Sequence, residues 1–302
     1  MPKGAHYKQD AGAEAGQGAS QDGRRRHRAS RVIANLLLLA GVALLVAAGV
    51  IWFQNDQRYQ QTEENNAKLA VYAKLPEGAG GPPEVDWAAL EAVNPDVVGW
   101  VYIPNTVVNY PVYQGSDNEY YLDHSAYGGF SYGGQIFMDH LNTAPGMVDE
   151  QTIIYGHHQR NGSMFKTVAD MANQATFDGV DTVWYCTEQE NFELEPLMLY
   201  KTVGTDETVR QFAFPTTDDF HSYLTGKLGS ASAARADAAG LIASTEHVMT
   251  LSTCQYDEED GRSILVCVPK SEVSGPGPGV SSEPAPDQRG HPIRKRTLGG
   301  RA

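Results

Sequence analysis

The chain begins polar, turns wholly apolar, and then alternates. From Val32 to Phe53 it runs 22 residues with Asn35 as the only strongly polar side chain. That length spans the hydrocarbon of a bilayer as a helix. The cluster Arg24-Arg25-Arg26-His27-Arg28 with Arg31 precedes it, which predicts a cytoplasmic N-terminus and an external remainder. A cleaved signal peptide with Val46-Ala47-Ala48 as its cleavage site is the competing interpretation. The apolar run continues through Val50, Ile51, Trp52 and Phe53, longer than an ordinary signal core, and a retained anchor is favoured.

Beyond the apolar run, residues 54–75 are polar enough for an exposed helix, with Leu69 and Tyr72 as weak apolar contacts, and Pro76 to Pro83 interrupts the chain. Asp86 reads as the N-cap of a short helix through Val93, ended by Asn94-Pro95. From Val97 the pattern becomes short β-branched and aromatic runs between turns. Strands are predicted at 97–103, 107–113, 135–139, 151–155, 181–185, 194–203, 208–214, 247–252 and 263–268. Thr216 and Asp219 form a capping-box pattern ahead of Phe220, Leu224 and Leu228, which recur at helical spacing. An alanine-rich second helix is expected at 231–243. Many short strands with a few helical insertions predict a mostly β fold, a closed barrel with peripheral helices.

Composition limits the two ends. Residues 1–31 are rich in Gly, Ala and Gln, and the chain after Pro269 collapses into Ser, Gly and Pro. Neither end carries enough apolar surface for a core, so both are expected to be disordered. The expected organisation is a basic segment 1–31, a membrane helix 32–53, a linker or helix 54–85, a folded domain 86–269 and a tail 270–302. The net charge of -14 opposes general nucleic-acid binding. Cys186, Cys254 and Cys267 are too few for a disulfide framework. A Cys186–Cys267 bridge is conceivable, with isolated buried thiols the blander alternative.

The chemistry concentrates around Met249-Thr250-Leu251-Ser252-Thr253-Cys254, with Arg262 eight residues on. A cysteine after a β-run is usually a small buried hydrophobe. Here the polar loop Gln255 to Gly261 follows it, so the thiol is expected at a strand end with access to solvent. A nearby cation such as Arg262 favours the thiolate, although a single arginine is by default a solvated surface residue. Ile153-Ile154-Tyr155-Gly156-His157-His158 ends another strand on histidine. Alternation sends the two histidines to opposite sides, which suits an acid/base better than a shared metal. Spacing alone does not choose between them, and His140 is a weaker candidate. Metal-ligand patterns are absent.

Thr250-Leu251-Ser252-Thr253-Cys254 resembles the nucleophile motif of the sortases, with Arg262 at the place of their arginine. Ile153-Ile154-Tyr155-Gly156-His157 resembles their histidine motif, which selects His157. The class B type is indicated by Asn94-Pro95-Asp96-Val97-Val98-Gly99-Trp100 and Ile103-Pro104. Tyr110-Pro111-Val112, Asp117-Asn118-Glu119-Tyr120-Tyr121-Leu122, Ile136-Phe137-Met138-Asp139 and Gly162-Ser163-Met164-Phe165 add to it. The similarity covers about 86–268. Ser263 to Val268 departs from it, since many relatives carry an aromatic and a histidine there.

The resemblance implies a membrane-anchored cysteine transpeptidase with a sortase-type barrel. Cys254 would attack a C-terminal sorting motif of a secreted protein, His157 would move protons, and Arg262 would hold the carbonyl oxygen. Ser252, Thr253, Gln255 and Tyr223 would line the substrate groove. The acceptor would be an amine of the peptidoglycan cross-bridge or its lipid precursor, with no metal or organic cofactor. The alternatives are a pilin polymerase using a lysine, a hydrolytic cysteine peptidase, and a non-catalytic surface-binding scaffold.

Overall fold

A computed structural model of the chain describes residues 19–78, 80–254 and 260–273, apart from the side chains of residues 19–30 and Cys254. The described residues fall into two compact units, divided between Glu64 and Asn65.

The first unit is helical. Helix α1 covers Ala19–Ala70 and contains the apolar run, whose side chains from Val32 to Phe53 are exposed. Disorder was expected through residue 31. The helix instead starts at Ala19, because Ala, Gln and Arg are good helix formers and extending an existing helix is easy.

The second unit begins at Asn65, and the last turn of α1 supplies Leu69 to its core. A two-stranded ladder follows, β1 (Ala73–Lys74) with β2 (Glu84–Val85). Helix α2 (Trp87–Val93) starts as expected, with the Asp86 carboxylate accepting from Ala89 N at 3.1 Å. Leu90 on its inner face is fully buried with Leu69, Trp100 and Tyr121. Burial of such a side chain is worth about 1.5–3 kcal/mol.

The barrel strands are β3 (Val97–Tyr102), β4 (Asn109–Tyr113), β5 (Ile136–Met138), β6 (Gln151–Tyr155), β7 (Val183–Cys186), β8 (Asn191–Val203), β10 (Val248–Cys254) and β11 (Gly261–Pro269), with β9 (Ala231–Ala234) added outside β8. Their order is β11-β10-β6-β5-β4-β3-β7-β8, and pairing of β11 with β8 closes eight strands. The short helices are α3 (Tyr120–Asp123), α4 (Lys166–Asp170), α5 (Gln174–Phe177), α6 (Thr217–Leu228), α7 (Ala238–Ile242) and α8 (Lys270–Val273).

Alternation sorts the strand side chains into two cores. Met249, Leu251, Leu265 and Cys267 point inward with Ile154 and Leu199. Val248, Ile264, Val266 and Val268 pack outward beside Phe220, Leu224 and Ile242 of α6 and α7. A strand covered on both faces needs apolar residues at every position, which explains the unbroken run in β11.

Two expected elements are corrected. Residues 208–214 form no strand. Glu207–Val209 is a 3-10 turn, and the Gln151 amide donates to Val209 O (2.9 Å) and Gln211 O (2.7 Å). A side chain thus satisfies carbonyls that a neighbouring strand would otherwise take. The alanine-rich stretch is a strand followed by a short helix, because the edge of β8 recruits Ala231–Ala234 and Ala233 fits against the inner core. Tertiary pairing overrides the helix preference of alanine. Cys186 and Cys267 are both free and buried, and burial pushes the Cys186 thiol up to about 12.

Candidate active site

Strands β6 and β10 end, and β11 begins, at one rim. In the parallel β6–β10 pair, Tyr155 lies opposite Ser252, and Gly156 N still donates to Ser252 O at 3.1 Å. His157 and Cys254 each follow that pair by two residues. In the antiparallel β10–β11 pair, Cys254 lies opposite Arg262. Residues distant in sequence therefore meet at one rim of the barrel.

The rim holds a cleft of about 230 Å³ lined by Asn118, Leu122, Phe137, Tyr155, Gly156, His157, Gly204, Ser252, Thr253 and Arg262. Gly156 is required by packing. A Cβ there would fall 2.5 Å from Ile136 Cδ1 and 2.6 Å from Phe165 Cδ2. His157 is held twice: its carbonyl accepts from Phe165 N at 2.9 Å, and its Nε2 lies 2.7 Å from Leu122 O. A carbonyl only accepts, so Nε2 carries a proton and Nδ1 is left to exchange one. Arg262 is held by Asp260, with Nη2 2.8 Å from Oδ1, while Nη1 donates to the carbonyls of Asp260 and Gly261, each at 3.1 Å.

Among the residues singled out from the sequence, His157, Arg262, Ser252 and Thr253 line the cleft. The backbone of Cys254 reaches its rim, and Gln255 lies outside the described residues. Tyr223 does not line the cleft. The apolar face of α6 turns it onto Phe214, at 5.1 Å between ring centroids, and its hydroxyl donates to Gln151 Oε1 at 3.5 Å. His158 pairs through its backbone with Met164, and His140 donates its backbone N–H to Asn118 Oδ1.

Asp260 and the lining residues Asn118, Leu122, Phe137 and Tyr155 carry no chemical signal of their own in the sequence. Asn118, Leu122 and Phe137 lie in stretches singled out for resemblance alone, and Tyr155 in the strand that leads to His157. Behind them sits Asp139, wholly buried. Burial pushes its pKa up, but hydrogen bonds from Arg210, Leu141 N, Tyr155 and Asn118 outweigh that and hold it below the usual carboxylate value. Burial and the Asp139 charge raise the Tyr155 hydroxyl, which stays neutral and donates.

Comparison with known proteins agrees with this architecture. The sequence profile of the family described as Sortase domain matches residues 101–270, more than half of the chain. Sortase B of Listeria monocytogenes is 32% identical over 233 residues, covering 73% of this chain and 92% of that relative. Among solved structures, sortase B from B. anthracis in complex with AAEK1 is 26% identical, with a TM-score of 0.59, covering 70% of this chain and 98% of that one. The Staphylococcus aureus sortase B–substrate complex is 27% identical, with a TM-score of 0.54, covering 60% and 83%. Family profile, relatives and barrel lead to one conclusion: the chain belongs to the sortase family of cysteine transpeptidases, class B type.

Proposed function

We propose that the protein is a membrane-anchored transpeptidase that cleaves a C-terminal sorting motif of secreted proteins and joins the acyl part to a cell-wall amine. Residues 32–53 cross the membrane, 1–31 stay in the cytoplasm, 54–85 link, and the catalytic domain 86–269 stands outside, followed by the tail 270–302. The observation that carries this reading is the register that brings His157, two residues past β6, the end of β10 at Cys254 and the start of β11 at Arg262 to one rim, where His157 and Arg262 line the cleft. One apolar helix near the N-terminus supports the anchor, and the basic residues ahead of it support the orientation. The Staphylococcus aureus relative, solved as a substrate complex, supports substrate binding by this fold.

In this mechanism the Cys254 thiolate adds to the scissile carbonyl carbon, and the oxygen becomes an oxyanion beside Arg262. Loss of one such donor costs about 3–4 kcal/mol of transition-state stabilisation. As the C–N bond breaks, protonated His157 gives the Nδ1 proton to the departing amine, leaving a thioester and neutral imidazole. The incoming amine attacks the thioester and loses its proton to His157. Collapse expels the thiolate and forms the new amide.

The test uses the full chain in detergent, a pool of sorting-motif peptides, and cross-bridge-like or lysine amines, with products read by mass spectrometry. A Cys254 adduct converted to an amine-joined product is expected. Cys254→Ala should form no adduct, and His157→Ala and Arg262→Ala should each slow its formation about 100-fold or more. Cleavage by Cys254→Ala would overturn the mechanism, product with lysine alone would favour pilin assembly, and hydrolysis alone would favour a peptidase.

A further inference from the structure

Two stretches singled out in the sequence, Asp117 to Leu122 and Ile136 to Asp139, supply no nucleophile, proton or cation to this reaction. They meet at one buried carboxylate. Asp139 Oδ2 accepts from Arg210 Nε at 2.8 Å, Tyr155 Oη at 2.8 Å and Asn118 Nδ2 at 2.9 Å. Its Oδ1 accepts from Arg210 Nη2 and Leu141 N, each at 3.0 Å. Five donors on one carboxylate leave it little freedom, and Arg210 balances its charge.

Two of those donors, Asn118 and Tyr155, stand in the wall of the cleft. Asn118 is fixed at both polar atoms, because its Oδ1 accepts from His140 N at 2.9 Å. Directly after it comes α3, whose first turn is tied back by Asp117 Oδ1, accepting from Glu119 N and Tyr120 N at 2.9 Å each. From α3 the Leu122 carbonyl receives the His157 ring at 2.7 Å. The far side of α3 rests on Gly134, at φ +53, where a Cβ would fall 2.2 Å from Tyr121 O and 2.5 Å from Leu122 O. A single rigid path thus runs from Asp139 through Asn118 and α3 to the imidazole. A second runs through Tyr155, two residues ahead of His157.

We propose that Asp139, paired with Arg210, is a positioning residue for the transfer reaction: it holds the Asn118–α3 segment that aims His157 through the Leu122 carbonyl. The proposal rests on the roles given above to His157 and Cys254. Asp139 contacts no reacting atom. Its influence is on the orientation and tautomer of the ring, as a carboxylate behind a histidine's hydrogen-bond partner exerts elsewhere.

The test uses the full chain in detergent with isotope-labelled histidine, the His157 ring signals being assigned with His157→Gln. In Asp139→Asn and Arg210→Met, the His157 nitrogen signals should move, and kcat for adduct formation should fall about tenfold or more, as small misplacements do. KM should change much less. Arg210→Lys should restore much of kcat and return the ring signals towards their original positions. If Asp139→Asn fails to fold, the two Arg210 variants decide the matter, since Arg210 is partly exposed. Unmoved ring signals and unchanged kcat in a folded variant would overturn the inference, as would reduced thermal stability alone. Absence of any Cys254 adduct in the unaltered chain would sink the functional reading instead, and is scored separately.

Discussion

At Asp139 a charge sits inside the protein because five donors replace its water. Its folded-state pKa lies below the ordinary carboxylate value, despite burial, because of those hydrogen bonds. The stabilisation it gives is therefore complete above the unfolded value and is lost as pH falls through the lower folded one. Arg210→Met removes the main charge balance and raises the folded pKa, so acid unfolding followed by circular dichroism should begin at higher pH. None of this was legible in the sequence. Asp139 and Arg210 stand 71 positions apart, and only the fold makes them a pair. Cys254, His157 and Arg262 could be singled out because their residue types announce a chemistry and each adjoins an apolar run. Tyr223 stands against the outer core rather than in this cleft, since an aromatic on an amphipathic helix serves a core as readily as a groove and spacing does not separate the two.

Elements were legible where a local cue named them. Asp86 and Thr216 begin helices as expected, and Thr216 Oγ1 accepts from Asp219 N at 3.1 Å. Thr216→Ala should therefore lower stability by about 1 kcal/mol, seen as a reduced Tm by calorimetry, with kcat unaffected. Strands buried on both faces, β10 and β11, were visible as apolar runs. The elements missed were those whose state depends on a distant partner. The Gln151 side chain keeps 208–214 from pairing as a strand, and the open edge of β8 turns alanines into β9. Periodicity carries no information about either partner.

For the whole molecule, the apolar stretch within α1 packs against nothing among the described residues, and its large side chains from Val32 to Phe53 are exposed. Water alone does not tolerate so large an apolar surface. The intact chain should pellet with membranes and resist alkaline carbonate, whereas a chain lacking residues 1–64 should stay in the supernatant. With an epitope tag added at the N-terminus, trypsin applied to intact cells should remove the catalytic unit but spare the tag. Retention of the full length after such shaving would reverse the proposed orientation.

Closure of the barrel by β11 also sets an order of events as the chain is made. That strand fits between β10 and β8, and it comes after every other member of the ring. Until Gly261–Pro269 emerges, β10 and β8 each present an unpaired edge of the kind that recruits foreign strands. By that moment His157 and Cys254 have both been synthesised, but Arg262 arrives on the strand that seals the sheet. A nascent chain stalled after residue 254 thus holds a thiol and an imidazole without their cation, in an open sheet. The guanidinium enters only with the segment that makes the protein whole.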